Sequence, residues 1–383
     1  MSIDLLGGIS AFGGGIVSYV VPFLFVLTLV VFFHELGHFL VARWCGIRVL
    51  AFSIGFGPEL VGFNDRHGTR WKIAAIPLGG YVKFLGDDNA ASAPDQAALA
   101  AMPENDRKES FAAQPVASRA AVVAAGPIAN FLLAIAIFAG VFMVFGKQTT
   151  TARVDTVVAG SAAEIAGFKP GDLVVSINGS KIDSFNDMQR IVSVSAGEPL
   201  TIGIERGGVR TTLKATPTLK EMKDGFGNVH RLGVLGISRS RAAGDVRTES
   251  VGPFRAIGMG ASETWFVIDR TLTYIGGIFT GREAADQLGG PIRIAQVSGQ
   301  VATAGFGALI HLAAVLSVSI GLLNLFPIPL LDGGHLLFYG IEAARGRPLS
   351  DRAQEMGFRI GLAVVVMLMI FATFNDIVHL ATS

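Results

Sequence analysis

The segment Tyr19–Cys45 constrains the fold most, because an uncharged apolar run of nearly membrane-spanning length leads into three ionisable side chains. The run Tyr19–Phe33 carries no charge, and His34, Glu35 and His38 follow it directly as the pattern H-E-x-x-H. Ionisable residues inside a membrane span are costly and generally functional. The run has no polar face, which argues against a soluble amphipathic helix with two packed histidines.

The spacing of this motif predicts a metal site. On a helix, positions i and i+4 lie on one face, so the imidazoles of His34 and His38 can bind one Zn²⁺ ion. Glu35 lies about 100° around the helix from His34 and can act as a general base toward a water at the metal. Because Cys45 is the only cysteine in the chain, any bound metal depends mainly on histidine and carboxylate ligands.

Composition places the chain among polytopic α-helical membrane proteins. Of its 383 residues, 51% are hydrophobic and only 16% are charged, well below the usual fraction of about a quarter. We predict about four transmembrane helices, a membrane-associated β-hairpin region and an inserted extracytoplasmic α/β domain. The net charge of +1 gives no sign of a nucleic-acid partner. Residues 1–42 lack Lys and Arg, so a secretory signal peptide with a basic n-region is not expected.

Four apolar segments account for the predicted spans. They are about Ile16–Ala42, Ala120–Phe145, Ala304–Leu331 and Ile360–Asn375. The first basic residue, Arg43, follows the first span, and Arg345, Arg347 and Arg352 precede the fourth. By the positive-inside rule these helix ends lie in the cytoplasm. Both termini, and the domain between the second and third spans, are therefore expected outside.

The segments between the spans differ in character. Residues 46–84 predict two apolar strands joined at Asn64–Gly68. They form either an ordinary β-hairpin on a small core or one that lies at the membrane with an edge free to pair with an extended peptide. Residues 86–118 predict a flexible cytoplasmic loop, and residues 147–220 a small α/β domain. Residues 221–303 predict a linker with interfacial amphipathic helices, notably Pro253–Phe279. Residues 1–146 and 304–383 would form the two parts of the membrane domain.

A site with two histidines needs a third protein ligand, and Asp332 is the best-placed carboxylate in the apolar part of the chain. It follows the third span at its inner end, at the same predicted depth as His34. Its setting, Asp332–Gly334, is by itself also typical of a turn that ends a helix. His335 is a rival ligand.

The second and third predicted spans carry residues that interrupt a helix or let helices approach closely. Pro327 and Pro329 must interrupt the third helix near the inner side of the membrane. Gly126 and Pro127 favour a close helix approach or a kink in the second span. Asn130 is a buried amide that needs a hydrogen-bond partner, and a structural role is favoured over direct catalysis.

Five motifs together resemble the site-2 protease family of intramembrane zinc metalloproteases, over about residues 19–376. The motifs are H-E-L-G-H at 34–38, I-P-L-G-G-Y-V-K-F at 76–84, K-E-S-F at 108–111, G-P-I-A-N-F at 126–131 and N-L-F-P-I-P-L-L-D-G-G at 324–334. The domain at 147–220 is similar to a bacterial PDZ domain in its segments Ser161–Ala163, Gly167–Asp172 and Ile177–Gly179. One such domain is found in the chain.

The resemblance implies a function and a set of site residues. It implies zinc held by His34, His38 and Asp332, with Glu35 activating water. It implies that Asn324, Gly79 and Gly80 position substrate, and that Gly126, Pro127, Asn130, Pro327 and Pro329 are structural near the site. The β-hairpin would then clamp an extended substrate in the membrane.

The resemblance also implies partners and a location. Substrates would be single-pass membrane proteins already trimmed outside, such as anti-sigma factors, and remnant signal peptides. The protein would reside in the bilayer of the bacterial inner membrane, with its active site near the cytoplasmic leaflet. The PDZ-like domain would dock a peptide C-terminus or exclude bulky substrates, and exclusion is the favoured role. The alternatives are a soluble zinc protease tethered to the membrane, or a transporter or scaffold whose His and Asp residues are structural.

Overall fold

The computed structural model describes residues 5–86, 101–223, 229–239, 246–281, 285 and 289–382. The chain forms two compact units. The helical unit comprises Met1–Gly140 and Ile257–Thr382, and the inserted module comprises Val141–Ala256. The candidate functional residues named above all belong to the helical unit.

Helices dominate the helical unit, and strands dominate the inserted module. The helices are α1 (Leu5–Trp44), α2 (Glu104–Lys108), α3 (Val116–Phe145), α4 (Ala162–Ile165), α5 (Phe185–Val194), α6 (Pro253–Phe279), α7 (Pro291–Thr303), α8 (Phe306–Asn324), α9 (Asp332–Arg345) and α10 (Asp351–Thr382). The strands are β1 (Val49–Asn64), β2 (Arg70–Phe84), β3 (Lys147–Thr150), β4 (Thr156–Val157), β5 (Leu173–Ile177), β6 (Ser180–Lys181), β7 (Leu200–Arg206), β8 (Val209–Ala215), β9 (Thr218–Lys223), β10 (Val229–Val234), β11 (Ile237–Ser238) and β12 (Val246–Glu249).

Four of the described helices are long and apolar enough to cross a membrane. They contain the candidate spans Val17–Trp44, Val116–Phe145, Phe306–Asn324 and Arg352–Ala381. Their number agrees with the prediction of about four transmembrane helices. The chain therefore has the helices of an integral membrane protein.

The helices of the third and fourth predicted spans, α8 and α10, have different ends from those predicted. Helix α8 ends at Asn324 rather than at Leu331, because Pro327 and Pro329 cannot donate backbone hydrogen bonds and Leu330 has a positive φ of 105°. The segment between the third and fourth predicted spans is mostly helical from residue 342 to residue 359, and the fourth spanning helix is longer than the predicted residues 360–375. Charged residues continue that helix beyond its apolar part; Arg359 donates to Glu355, one turn earlier, at 2.6 Å.

The predicted strands between the first two spans form an antiparallel pair. The register of β1 and β2 runs from Val49 opposite Phe84 to Asn64 opposite Arg70, with several irregularities between. Phe52 of β1 is fully buried against Phe39 of α1 and stacks on Trp71 of β2. These contacts attach one face of the pair to α1.

The turn between β1 and β2 is built around Asp65. Its Oδ1 accepts the amides of His67 at 2.8 Å and Thr69 at 3.0 Å, and its Oδ2 accepts from Arg43 and Trp71. Burial alone would raise the pKa of Asp65, but these hydrogen bonds outweigh it and lower the pKa to about 2. The charged carboxylate thus links the turn to the end of α1.

The inserted module has a four-stranded sheet in the order β6-β5-β7-β8. Its core includes the buried side chains Val154, Val174, Ile177, Ile202, Ile204 and Leu235. The module continues past residue 220, where the sequence suggested its end, because Leu235 completes this core and β12 pairs with β3. Residues 221–249 therefore belong to the module rather than to a linker.

The amphipathic segment that follows the module forms one continuous helix, α6. Gly260 of α6 lies against α3, where a Cβ would be 2.6 Å from the carbonyl oxygen of Ile135 and 3.1 Å from the amide of Ala139. A small residue therefore lets the two helix backbones approach closely. The interfacial position of α6 stays a prediction.

Candidate active site

The two histidines of the H-E-x-x-H motif point their Nε2 atoms to one place. One turn apart on α1, His34 and His38 have these atoms 3.3 Å from each other. Their rings are nearly perpendicular, at 86°. The i, i+4 spacing on a regular helix is sufficient for this arrangement.

Asp332 completes the cluster from the first turn of α9. Its Oδ2 lies 3.2 Å from Nε2 of His34, and its Oδ1 lies 3.6 Å from Nε2 of His38. One ligand atom from each of the three residues lies within 4.8 Å of the others. His335 also lies beside the site, but among the described residues it is outside this three-residue group.

The three residues fit a zinc ion chemically. Oδ2 of Asp332 is buried and has no hydrogen-bond partner within the described part of the chain. A buried carboxylate oxygen of this kind requires a cation or a donor. Two imidazole nitrogens and one carboxylate oxygen are a donor set of catalytic zinc sites, which keep a further position open. His34, His38 and Asp332 are thus the residues that can hold the metal.

The position of Asp332 depends on tight packing around the turn before α9. A Cβ at Gly333 would overlap the carbonyl oxygens of Leu325 and Phe326, and one at Gly334 would overlap that of Ile328. Glycine is therefore needed for α9 to begin this close to the turn. Pro327 and Pro329, which sequence analysis placed near the site, lie within the turn itself.

A buried ion pair fastens α9 to α3. Nη2 of Arg119 lies 2.7 Å from Oε1 of Glu342, and both side chains are at least 86% buried. The guanidinium also lies over the ring of Tyr339. The sequence pattern does not predict this pair; a single arginine at the start of the second apolar segment is its only signal.

Residues of α3 and α8 contact the rings of the two histidines. Nδ1 of His38 donates to the carbonyl oxygen of Val122 at 2.8 Å. Asn130 lies 3.2 Å from Nδ1 of His34, and Nδ2 of Asn324 lies 3.4 Å from Nε2 of the same ring. The structure therefore brings both asparagines, predicted from separate motifs, to His34.

Gly126 of α3 faces both imidazole rings. A Cβ at this position would overlap Nε2 of His38 and lie 2.5 Å from Cε1 of His38 and 2.9 Å from Cε1 of His34. The neighbouring Pro127 places its carbonyl oxygen 3.1 Å from where a Cβ of Gly321 on α8 would lie. The Gly-Pro pair is thus where α3 meets both α1 and α8.

The cluster opens into a cavity of about 760 Å³. Glu35 lines the cavity with the three candidate ligands, and so do Gly79 and Gly80 of β2. The rest of the wall is mainly apolar and includes Val31, Phe56, Leu78, Ile320, Leu330 and Val365. Gly80 allows β2 to approach α1, because a Cβ there would be 3.1 Å from Cγ of Glu35.

Comparison with known proteins gives one family. The profile of "Peptidase family M50" matches residues 22–368. The "Putative zinc metalloprotease Atu1380" of Agrobacterium fabrum is 54% identical over 369 residues, which cover 96% of this chain and 98% of that protein. The "Metalloprotease MmpA" of Caulobacter vibrioides is 42% identical over 385 residues, which cover 95% of this chain and 96% of that protein.

Proposed function

The chain belongs to peptidase family M50 and is a zinc metalloprotease, and from this premise we propose that it cuts single-pass membrane proteins within the bilayer. The observation that carries the proposal is the position of the candidate zinc ligands. His34 and His38 lie in one candidate span, and Asp332 follows the end of another. Because the cavity beside these residues is largely apolar, we expect a substrate to enter it from the membrane.

The proposed reaction gives a role to the three candidate ligands, to Glu35 and to Asn324. His34, His38 and Asp332 would hold the zinc ion, which when bound would supply a Lewis acid for the scissile carbonyl. Glu35 takes a proton from the attacking water and delivers it to the leaving amine. Asn324, whose amide points to His34 at 3.4 Å, is placed to donate a hydrogen bond to the substrate.

A transmembrane substrate must unwind locally before it can be cut, because a helix hides its backbone carbonyls. Strand β2 is suited to hold the opened segment, since Gly79 and Gly80 line the cavity beside Glu35. An extended peptide can pair with such a strand edge through main-chain hydrogen bonds. We therefore assign β1 and β2 the role of a substrate clamp.

Replacing Glu35 with glutamine tests the reaction directly. The change keeps the size of the side chain but removes the base, so cleavage of a single-pass reporter should fall by about 10²–10⁴-fold. Zinc content should stay at the wild-type level, because Glu35 is not one of the three candidate ligands. Cleavage is followed by immunoblot and zinc by elemental analysis of the detergent-purified protein.

The matched control for this test is Glu355→Gln, an exposed carboxylate on α10 paired with Arg359. This variant should cleave the reporter as the wild type does. Full activity of Glu35→Gln would refute the proposed mechanism.

We assign the protein to the bacterial inner membrane, with both termini and the inserted module outside and the zinc site near the cytoplasmic leaflet. The basic residues Arg43, Arg345 and Arg347 at the helix ends support this orientation. The segment that contains α2 would then be cytoplasmic, although most of residues 86–100 of that loop lie outside the described residues.

Cysteine labelling of intact cells tests this orientation. In a Cys45→Ser background, a Ser180→Cys probe on the exposed turn of the module should react with a membrane-impermeant reagent. A Lys108→Cys probe on the exposed face of α2 should react only after the membrane is permeabilised. The reverse labelling pattern would invert the topology.

The inserted module has a groove that supports peptide docking in a PDZ-like manner. A cavity of about 160 Å³ lies between α5 and the segment Leu232–Ile237. Its lining includes the apolar residues Met188, Val192, Leu235 and Ile237. Trimming a substrate outside the membrane creates a new C-terminus, which is one kind of peptide end that such a groove can take.

Removing the module separates docking from exclusion of bulky substrates. Because β3 and β12 pair with Thr150 opposite Val246, residues 151–245 can be replaced by a short Gly-Ser linker. Under docking, cleavage of trimmed substrate falls and untrimmed substrate stays uncut. Under exclusion, trimmed substrate is cut normally and untrimmed substrate becomes susceptible. Unchanged cleavage of both, read by immunoblot, would refute both roles.

A further inference from the structure

We propose that Asn130 is a positioning residue for zinc binding, whose side-chain oxygen accepts the Nδ1–H of His34 and thereby directs Nε2 to the metal. The inference rests on the proposed ligation of zinc by His34. It assigns to Asn130 a task beyond the packing of helices.

The chemistry of a histidine ligand requires such an acceptor. Nε2 of His34 points to Asp332 and His38, so this nitrogen must be free of a proton to bind zinc. The proton of the neutral ring then resides on Nδ1, where histidine ligands of metals generally donate to an oxygen. The atom 3.2 Å from Nδ1 of His34 is Nδ2 of Asn130, so the side-chain amide of Asn130 lies at this nitrogen.

The amide of Asn130 has an oxygen free for this bond. Asn130 is fully buried, and its Oδ1 has no hydrogen-bond partner among the residues that the structure describes. A side-chain amide can present either of its ends to a neighbour, and the hydrogen-bond network decides which end faces which group. With Oδ1 turned toward Nδ1 of His34, the oxygen gains the donor it lacks and the ring is fixed as a zinc ligand.

His38 has an equivalent bond to the same helix. Its Nδ1 donates to the carbonyl oxygen of Val122 at 2.8 Å, which leaves its Nε2 for the metal. Val122 and Asn130 both lie on α3, about two turns apart. Helix α3 then supplies one oxygen acceptor to each histidine. The backbone carbonyl of Val122 accepts from His38, and the side-chain oxygen of Asn130 accepts from His34.

Helix α8 holds Asn130 in place without using its side chain. Oγ of Ser317 donates to the backbone oxygen of Asn130 at 2.8 Å. Gly321 lies so close that a Cβ there would be 3.1 Å from Cβ of Asn130. The backbone of Asn130 therefore joins the helices, and its amide is left to act on His34.

Zinc titration of four full-length variants tests the role. Purified protein is stripped of metal and titrated with zinc against a chromophoric chelator. Asn130→Leu and Asn130→Ala both remove the acceptor and should weaken zinc binding by about 10–100-fold. Asn130→Asp keeps an acceptor oxygen and should stay within about threefold of the wild type. Ser317→Ala removes a bond to the same residue's backbone and should leave zinc affinity unchanged.

Two results would overturn the role of Asn130. One is wild-type zinc affinity in Asn130→Leu or, if that protein does not fold, in Asn130→Ala. The other is an Asn130→Asp protein that binds zinc as weakly as the variants without an acceptor. Failure of the proposed zinc site itself would give a different result. The wild-type protein would then bind no zinc, or Asp332→Ala would retain its zinc, whatever residue stands at position 130.

Discussion

Replacing Asp332 with alanine is expected to abolish both zinc binding and proteolysis while the protein still inserts into the membrane. Asp332 supplies the carboxylate oxygens that lie 3.2 Å and 3.6 Å from the Nε2 atoms of His34 and His38. Loss of a direct ligand should weaken zinc binding by more than the 10–100-fold that loss of a ligand's hydrogen-bond partner costs. Zinc analysis of the detergent-purified variant measures this.

His335→Ala is the matched control for that prediction. His335 lines the same cavity and follows Asp332 by one helical turn, but it lies outside the three-residue cluster. This variant should retain zinc. If Asp332→Ala kept its full zinc content instead, Asp332 would not be the third ligand, and His335 would take its place.

Replacing Gly126 with alanine is expected to be nearly as damaging, although the glycine binds nothing itself. The added Cβ would overlap Nε2 of His38 and lie 2.9 Å from Cε1 of His34. Both rings would have to move, and so their Nε2 atoms could no longer meet at one metal. We expect zinc binding and cleavage both to fall to the level of a variant that lacks a ligand.

Gly140→Ala, on the same helix, isolates this effect from the change in helix propensity. A Cβ at Gly140 meets none of the described residues within 4 Å, so the variant should keep its zinc and gain about 0.5–1 kcal/mol of stability from the removal of a helix glycine. Zinc affinity and thermal unfolding of the two variants are compared side by side. If Gly126→Ala bound zinc as tightly as the wild type, the prediction would be wrong. Helices α1 and α3 could then move apart without displacing the candidate zinc ligands.

The sequence by itself determined the features that depend on local spacing. Four apolar segments predicted four helices able to cross a membrane, because a helix of about 20 apolar residues satisfies its own backbone in lipid. The i, i+4 spacing of His34 and His38 placed both rings on one helix face whatever surrounds them. The turn residues Asn64–Gly68 located the change of direction between β1 and β2, because Asp65 and Gly68 supply the side-chain acceptor and the positive φ that the turn uses.

Features that join distant parts of the chain were decided only by the tertiary structure. Spacing along the chain left His335 as a rival to Asp332, because both follow the same apolar segment, and only the resemblance to a family favoured Asp332. The break at Pro327 and Pro329 and the start of α9 place the carboxylate of Asp332, rather than the imidazole of His335, in the cluster of candidate ligands. The pairing of Arg119 with Glu342 likewise depends on the fold, because a single arginine beside an apolar segment does not identify its partner.

The same distinction applies to Asn130 and to the limits of the inserted module. Asn130 was expected to be a buried amide with a structural role, but the sequence did not identify its partner. The fold brings its side chain to His34, since the glycines of α3 and α8 bring three helix backbones close together. The module extends beyond residue 220 because β12 returns to pair with β3. Spacing along the chain sets which side chains share a face, whereas the approach of backbones from different helices sets which faces meet.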